Sequence, residues 1–349
     1  MNIFWELRGF FRTHWRSYAV AGLMLTGVAV LGLLPPAIVG RVVDGIHAQT
    51  MDARGLWLHA GGIVAAALGI YWLRFLWRQI LFGASYALGR GLRRQIYAHL
   101  PGLSPAALRA FPAGDLRARA TNDVQAVEMT AGEAVLSVFD GIMSGVLVLA
   151  VMVFTLSGWL TLMALAPWPL MSWAMWRLGQ QLHQRFDVAQ AAFSQLNAVT
   201  QESVAGLRAL RGLGAEAHAE ALLARASDEA TTANLRVARV DSRYDPIIYL
   251  TVSASFLISI GGGAWLISLG RLTIGELTSF SLYLGQLVWP MFAFGWMANL
   301  VQRGKAAWER IQAFLQTPSA VPDNGTLVVV EDHRLELKVE AFSYPGRTQ

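Results

Sequence analysis

Six long apolar runs constrain this chain more than any other feature of its sequence. They cover residues 18–39, 56–82, 133–156, 159–176, 246–269 and 277–301. A helix of about 20 apolar residues is long enough to cross a bilayer core. The chain is 54% hydrophobic and 15% charged, whereas about a quarter of the residues in an ordinary soluble domain are charged. The sequence therefore predicts an all-α integral membrane protein with six transmembrane helices.

Prolines in or beside these runs predict local breaks in the helices, because proline lacks the backbone N–H that continues a helix. They are Pro35, Pro36, Pro167, Pro169, Pro246 and Pro290.

The distribution of arginines predicts the orientation of the runs. The N-terminal segment 1–17, two long loops and the tail carry most of them, while the alternate loops hold only Arg41, Arg54 and Arg271. Lys and Arg are enriched in cytoplasmic loops, so both termini are expected in the cytoplasm. Segment 1–17 is basic and aromatic and is expected to lie in the membrane interface. The net charge of +5 then indicates lipid headgroups as the partner, and no nucleic acid.

The two inner loops, of about 50 and about 70 residues, are predicted to be helical stalks. In the second, apolar residues from Phe186 to Leu210 recur at helical spacing on a polar background, until Gly212 and Gly214 interrupt the pattern. The first follows the same plan and turns near residues 100–115. Legs of roughly 25 to 30 residues project about 40 Å, which suits contact with a partner better than catalysis.

The tail predicts a change of structure. The last helix continues to residue 315, residues 316–325 have the composition of a linker, and residues 326–349 show the alternation of β-strands. A second domain is therefore expected to begin there and to be truncated at Gln349.

No catalytic or metal site is predicted. The seven histidines show no metal-ligand spacing and there are no cysteines. Gly304 and Lys305 lack the glycine-rich loop that cradles phosphates.

Three charged residues lie in or near the apolar runs and are predicted to form an intramembrane ion pair. Asp140 is expected to pair with Arg78 or Arg74 at the inner leaflet. The pair has either a structural role near the interface or a role in lining a substrate pathway.

Large aromatic side chains and one polar residue, Gln286, lie together in the sixth run. Gln286, Trp289, Phe292 and Trp296 indicate either helix packing and lipid contact or an adaptable cavity for hydrophobic substrates. No ionisable residue occupies the middle of the first, fourth or sixth run, which disfavours a carrier driven by protons or sodium.

Several stretches resemble the transmembrane half of an ATP-binding cassette (ABC) exporter of the multidrug-resistance-like type. They are GDLRARATNDVQAVE at 114–128, TQESVAGLRALRGLGAEAHAEA at 200–221, LTIGELTSF at 272–280, RGKAAWERIQAFL at 303–315 and FSYP at 342–345. The stretches FGASY at 82–86 and DSRYDPIIY at 241–249, with Trp289-Pro290, further resemble bacterial half-transporters that pair two different subunits.

The resemblance implies a type 1 exporter fold, followed by the start of a truncated α/β nucleotide-binding domain. Arg117, Arg119 and Asp123 would lie in one coupling helix, and Gly214 and Glu216 in a second, both seated on nucleotide-binding domains. Tyr344 would stack on adenine. ATP with Mg²⁺ would be bound by the nucleotide-binding domain, and residues 1–349, which lack the Walker motifs, should not hydrolyse ATP alone.

The expected function is ATP-driven export of drugs, lipids or peptides across the bacterial inner membrane by a dimer, and a heterodimer with a second half-transporter subunit is expected rather than a homodimer. Two alternatives stay open: a carrier or channel driven by an ion gradient, and a non-transporting membrane regulator on the same scaffold.

Overall fold

The computed structural model describes residues 2–318 and Lys338, apart from the side chains of residues 2, 105–107, 291, 292, 294 and 295. These residues are helical with short connections, and none of them forms a strand. The predicted strands at 326–349 and most of the predicted linker lie outside the described residues. The all-α membrane fold expected from the sequence is confirmed.

The helices follow one another in chain order. They are α1 Asn2–Glu6, α2 Arg8–Thr13, α3 Trp15–Gly32, α4 Leu34–His47, α5 Ala53–His99, α6 Pro105–Ala110, α7 Ala113–Ala118, α8 Val124–Met129, α9 Val135–Val151, α10 Gly158–Leu165, α11 Trp168–Ala205, α12 Leu207–Leu213, α13 Glu216–Asp241, α14 Tyr244–Ser268, α15 Ile274–Gln286 and α16 Val288–Leu315. A 3₁₀ turn covers Leu100–Gly102, and π-helical turns cover Arg119–Asp123, Thr130–Ala134 and Met152–Ser157.

Four helical segments of the described chain are long and apolar enough to cross a membrane. They are Trp15–His47, Ala53–Gly102, Ala113–Leu165 and Glu216–Ser268. The segments include the first, second, third and fifth predicted runs, so the count of six spans stays a prediction. Helix breaks occur where the prolines predict them, at Leu33 before Pro35, at Ala166–Pro167, and at Leu287 before Pro290.

The contacts divide the chain into two units, and the first comprises residues 1–38, 52–148 and 286–349. Within it α3 packs along α5 through a buried apolar cluster that includes Leu25, Trp77 and Leu81. Small residues allow the close approach of helices, since the Cβ position of Gly22 lies 3.3 Å from the ring of Phe139.

A second cluster in this unit, here called the inner cluster, joins α1, α5, α8 and α16. Its buried members are Ile3, Leu7, Leu88, Leu92, Ile96, Leu103, Val124, Val127, Ala131, Ala307, Ile311 and Phe314. Ala307 and Ile311 are four residues apart and lie on one face of α16, and Leu7, directly after α1, donates a backbone hydrogen bond of 2.9 Å to Ile3 one turn earlier. Burial of these side chains holds the N-terminal segment and the end of α16 against α5 and α8.

The second unit comprises residues 39–51 and 149–285. Here α11 packs along α13, with small buried residues such as Ala189, Ala226 and Ala230 between them. α14 packs on α10 and α11, and the indole of Trp168 donates a hydrogen bond of 3.0 Å to the Ser255 hydroxyl. The paired long helices α11 and α13 correspond to the predicted second stalk.

Candidate functional site

The first predicted coupling segment contains a buried charge network within the first unit. Asp123 is only 4% exposed, and its carboxylate accepts two hydrogen bonds from the Arg310 guanidinium, that from Nε at 2.9 Å. Arg119, also buried, donates from Nε to Asp115 at 2.8 Å and from its terminal nitrogen to the Arg310 carbonyl oxygen. The network therefore ties residues 115–123 to α16.

The backbone and an aromatic ring position Arg119. A π-helical turn spans Arg119–Asp123; such turns insert an extra residue and often occur at functional sites. The guanidinium of Arg119 lies over the ring of Phe111, 5.1 Å from its centroid. This cation–π contact and the two polar partners, Asp115 and the Arg310 carbonyl oxygen, compensate for the removal of the charge from water.

Arg310 differs from its partner in exposure. Its side chain is 58% exposed, whereas that of Asp123 is 5% exposed. The hydrogen bond to Asp123 raises the pKa of Arg310 above its already high ordinary value, and an arginine side chain is charged throughout the physiological pH range. The buried carboxylate thus has a permanent cationic partner in its own chain.

A second buried carboxylate, that of Glu128, lies in α8, the helix that directly follows the π-helical turn. It accepts a hydrogen bond of 3.0 Å from Arg93 of α5, and Arg93 also donates to the Ala120 carbonyl oxygen at 3.1 Å. The Glu128 side chain occupies the space beside Gly89, where a Cβ atom would collide with it. The first segment is therefore anchored to α5 as well as to α16.

The coupling residues predicted in this segment divide into buried and exposed ones. Arg119 and Asp123 are buried, whereas Arg117 is exposed and forms no ion pair with any residue that the structure describes. Of these three residues, Arg117 alone is exposed. The predicted contact of Asp123 with a nucleotide-binding domain stays a prediction, and the observed partner of its carboxylate is Arg310.

The second predicted coupling segment is a helix reversal in the second unit. α12 ends at Leu213, Gly214 adopts a left-handed conformation with φ of 63°, and α13 begins at Glu216. The N–H of Ala215 donates a hydrogen bond of 3.0 Å to the Leu210 carbonyl oxygen. Leu213 is 81% exposed and Glu216 is exposed beside it. This tip presents an apolar and an acidic side chain to the surroundings.

The charged residues of the membrane region are brought together only in part. The Arg74 guanidinium and the Trp289 side chain both lie near the Asp140 carboxylate. The guanidinium of Arg78 lies over the Trp77 ring, 5.5 Å from its centroid. No close ion pair joins Asp140 to either arginine, all three being described residues. Their predicted ion pair is not among the contacts of this structure and stays a prediction for the membrane-embedded protein.

The residues of the predicted substrate cavity have different surroundings. Gln286 donates a hydrogen bond of 3.2 Å to the Gly32 carbonyl oxygen, while Trp289 and Trp296 are exposed. The side chain of Phe292 and the whole of Tyr344 lie outside the described residues. Among those described, no group of three or more His, Asp and Glu side chains is arranged to hold a metal ion.

Sequence reasoning missed Arg310, Arg93 and Glu128 as partners. Arg310 lies inside the recognised stretch at 303–315, and an acidic residue among apolar neighbours, such as Asp123, requires a cationic partner somewhere. The burial of Asp123 is known only from the structure, and even then the requirement does not identify a partner that lies 187 positions away in the sequence.

Comparison with known proteins gives the family. The family model described as ABC transporter transmembrane region matches residues 18–291. Among the relatives is the Multidrug resistance-like ATP-binding protein MdlA of Escherichia coli (strain K12), 42% identical over 99% of this chain and 58% of its own length. The Probable multidrug resistance ABC transporter ATP-binding/permease protein YheI of Bacillus subtilis (strain 168) is 34% identical over 98% of this chain and 59% of its own.

A more distant relative is the Multidrug efflux ATP-binding/permease protein Rv0194 of Mycobacterium tuberculosis, 26% identical over 98% of this chain and 28% of its own length. The chain thus spans less than two thirds of the length of each of these relatives. The match of the family model, together with the helices described above, leads to one conclusion: the chain belongs to the ABC transporter transmembrane region family.

Proposed function

We propose that this chain is the transmembrane subunit of an ATP-driven ABC exporter that moves amphipathic drugs, lipids or peptides across the bacterial inner membrane by alternating access. The family match over residues 18–291 carries the proposal. The names of the MdlA and YheI relatives, which describe multidrug resistance proteins, support export as the activity. The subunit has six spans with both termini in the cytoplasm, and it works as a dimer, preferentially with a different half-transporter.

The two tips are the surfaces that receive movement from nucleotide-binding domains. Arg117 supplies the exposed charge of the first tip, and Leu213 and Glu216 supply the apolar and acidic groups of the second. Asp123 and Arg119 act behind the first surface, since they fix it to α16 through Arg310. A displacement of the first tip is thereby transmitted to a helix that belongs to the predicted sixth span.

The described residues do not fit a nucleotide site. Lys305 lies within α16 and pairs with Glu309 of the next turn at 3.6 Å, and no glycine-rich loop surrounds it. ATP and Mg²⁺ are therefore assigned to nucleotide-binding domains outside the described residues, where Tyr344 would stack on adenine. ATP supplies the driving force when bound there, and the residues of this chain respond through the tips.

The membrane residues offer a place for the substrate. Trp289 and Trp296 are exposed, and Asp140 lies near the Trp289 side chain. Aromatic faces next to a carboxylate suit amphipathic cations, so we assign Gln286, Trp289, Phe292 and Trp296 to the substrate path, with Asp140 and Arg74 at its inner end.

The test is transport by the full-length protein and its companion half-transporter in inside-out liposomes. Uptake of a fluorescent amphipathic cation should require ATP and should continue when ionophores collapse the proton and sodium gradients. Uptake without ATP that follows an ion gradient would instead establish a secondary carrier. No uptake under either condition, with a folded and nucleotide-binding protein, would favour a regulator.

The coupling assignment has its own test in the same liposomes. The double variant Asp123→Ala/Glu216→Ala should lose most substrate-stimulated ATPase activity and transport while ATP binding is kept. Glu220→Ala, an exposed acid one turn from Glu216 on α13, is the matched control and should behave as the unmodified protein. Unchanged coupling in the double variant would contradict the assignment.

A further inference from the structure

An apolar groove of about 320 Å³ lies between the N-terminal segment and α9, entirely within the first unit. It is lined by Phe4 of α1 and by Val135, Val138, Phe139, Ile142 and Met143 of α9. Almost no polar surface borders it. Water in such a groove finds no hydrogen-bond partner, so an apolar ligand is favoured there.

The exposed residues next to the groove indicate which medium surrounds it. Ile142 is 45% exposed and Val146, one turn further along α9, is 58% exposed. α9 lies in a segment long and apolar enough to cross a membrane, in a chain that belongs to a family of transmembrane regions. The medium next to this face is therefore the bilayer, whose acyl chains are the available apolar ligands.

The segment that contributes Phe4 is also basic. Arg8, Arg12 and Arg16 are exposed, and none forms an ion pair with a described residue. Glu6 is the one acid among residues 2–17. Arg8 and Arg16 lie over the rings of Trp5 and Trp15, at 5.5 and 5.9 Å from the ring centroids, and both tryptophans are exposed. Such Trp–Arg pairs are typical of the headgroup level of a membrane.

We propose that the groove binds one acyl chain of an anionic glycerophospholipid whose phosphate-bearing headgroup is held by the arginines of residues 8–16. Each basic residue near an anionic membrane surface contributes attraction, and the acyl chain adds the hydrophobic term. Both parts of the ligand then have a partner on the same short segment, which distinguishes a bound lipid from general lipid contact.

The lipid site has a consequence for the inner cluster. Ile3 and Leu7, on the same segment as Phe4, are buried in that cluster with Val124 and Ile311, and Phe4 packs against it. A lipid in the groove therefore holds α1 between the membrane and the first coupling segment. This inference rests on the membrane assignment of the chain and not on the proposed transport activity.

The test is native mass spectrometry of the full-length protein released from detergent, titrated with phosphatidylglycerol or phosphatidylcholine of identical acyl chains. The unmodified protein should retain one tightly bound phosphatidylglycerol per chain in preference to phosphatidylcholine. Ile142→Trp fills the groove and should weaken retention by about tenfold, a loss that corresponds to the burial of about two methylene groups. Val146→Trp, an equally lipid-facing change outside the groove, is the matched control and should have no effect.

The headgroup is tested separately. Arg8→Gln/Arg12→Gln should abolish the preference for phosphatidylglycerol and leave the binding of phosphatidylcholine unchanged. Arg90→Gln/Arg94→Gln removes the same charge from exposed positions of α5 and should keep the preference. Equal retention by the unmodified protein and Ile142→Trp would overturn the groove as the site. Equal retention of the two lipids by the unmodified protein would overturn the anionic headgroup.

Discussion

The carboxylate of Asp44 accepts a hydrogen bond of 2.7 Å from the backbone N–H of Gly275, the second residue of α15. Its other oxygen accepts a hydrogen bond of 2.7 Å from the Thr273 hydroxyl, and the Glu276 carboxylate accepts one of 2.8 Å from the Thr273 N–H. Asp44 thus caps the start of α15 from α4, a helix 231 positions away. The backbones touch here, because a Cβ at Gly275 would collide with the Gly40 carbonyl oxygen.

Removal of this cap should loosen α15 from α4. In Asp44→Ala the N–H of the buried Gly275 loses its partner, and we expect a loss of about 1–3 kcal/mol in the free energy of unfolding. Asp44→Asn keeps one acceptor oxygen and should cost less. The measurement is thermal unfolding in detergent. The control is Thr278→Val, because the Thr278 hydroxyl donates only to the Ile274 carbonyl oxygen of its own helix. An equal loss in Asp44→Ala and Thr278→Val would contradict the role of Asp44 as a cap.

The exposure of the Asp123–Arg310 pair predicts an asymmetry between its two single variants. Arg310→Ala leaves a carboxylate that is 5% exposed without its partner, which should cost about 3–5 kcal/mol. Asp123→Ala leaves a guanidinium that can turn to water, so it should cost clearly less. Arg310→Lys should be intermediate, because an ammonium cannot form the two-pronged contact.

A double-mutant cycle in the same thermal assay separates the coupling from the individual losses. Lys305→Ala, which removes an exposed cation of α16, is the control. Equal losses in Arg310→Ala and Asp123→Ala would contradict the burial argument.

The sequence predicted the helices better than their partners, and particular residues show why. The helix breaks before Pro35 and Pro290 follow from the missing N–H of proline, a local property. The second stalk follows from apolar spacing between residues 186 and 210. The partners Asp44–Gly275 and Asp123–Arg310 depend on which helices meet in three dimensions. Local sequence patterns do not show which helices pack together. A buried acid indicates only that a hydrogen-bonding or cationic partner exists.

Gly89 provides a further prediction, because Glu128 fills the space beside it. Gly89→Ala should displace the Glu128 carboxylate from Arg93 and lower the free energy of unfolding by about 1–3 kcal/mol. Gly91, two residues along α5, has nothing within 4 Å of its Cβ position. Gly91→Ala should therefore be neutral or stabilising by up to about 1 kcal/mol. Both are measured by thermal unfolding.

A double variant tests whether the collision with Glu128 causes the effect of Gly89→Ala. The atoms that a Cβ at Gly89 would meet are the Glu128 carboxylate and its Cγ, and Glu128→Ala removes them. Gly89→Ala should then cost little in the Glu128→Ala background. An undiminished loss in that background would attribute the effect to something other than this collision.

The tip of the second stalk depends on the left-handed conformation of Gly214. A side chain at φ of 63° raises the free energy of the folded state by about 1–2 kcal/mol for most residues and by less for asparagine. Gly214→Ala should therefore distort the reversal that places Leu213 and Glu216, whereas Gly214→Asn should preserve it. In the full-length transporter we expect Gly214→Ala to lower substrate-stimulated ATPase activity several-fold, with ATP binding unchanged, and Gly214→Asn to retain most of it. Gly212→Ala, within α12 and with open space at its Cβ position, is the control and should retain full activity. Full activity in Gly214→Ala would show that the reversal is not required for coupling.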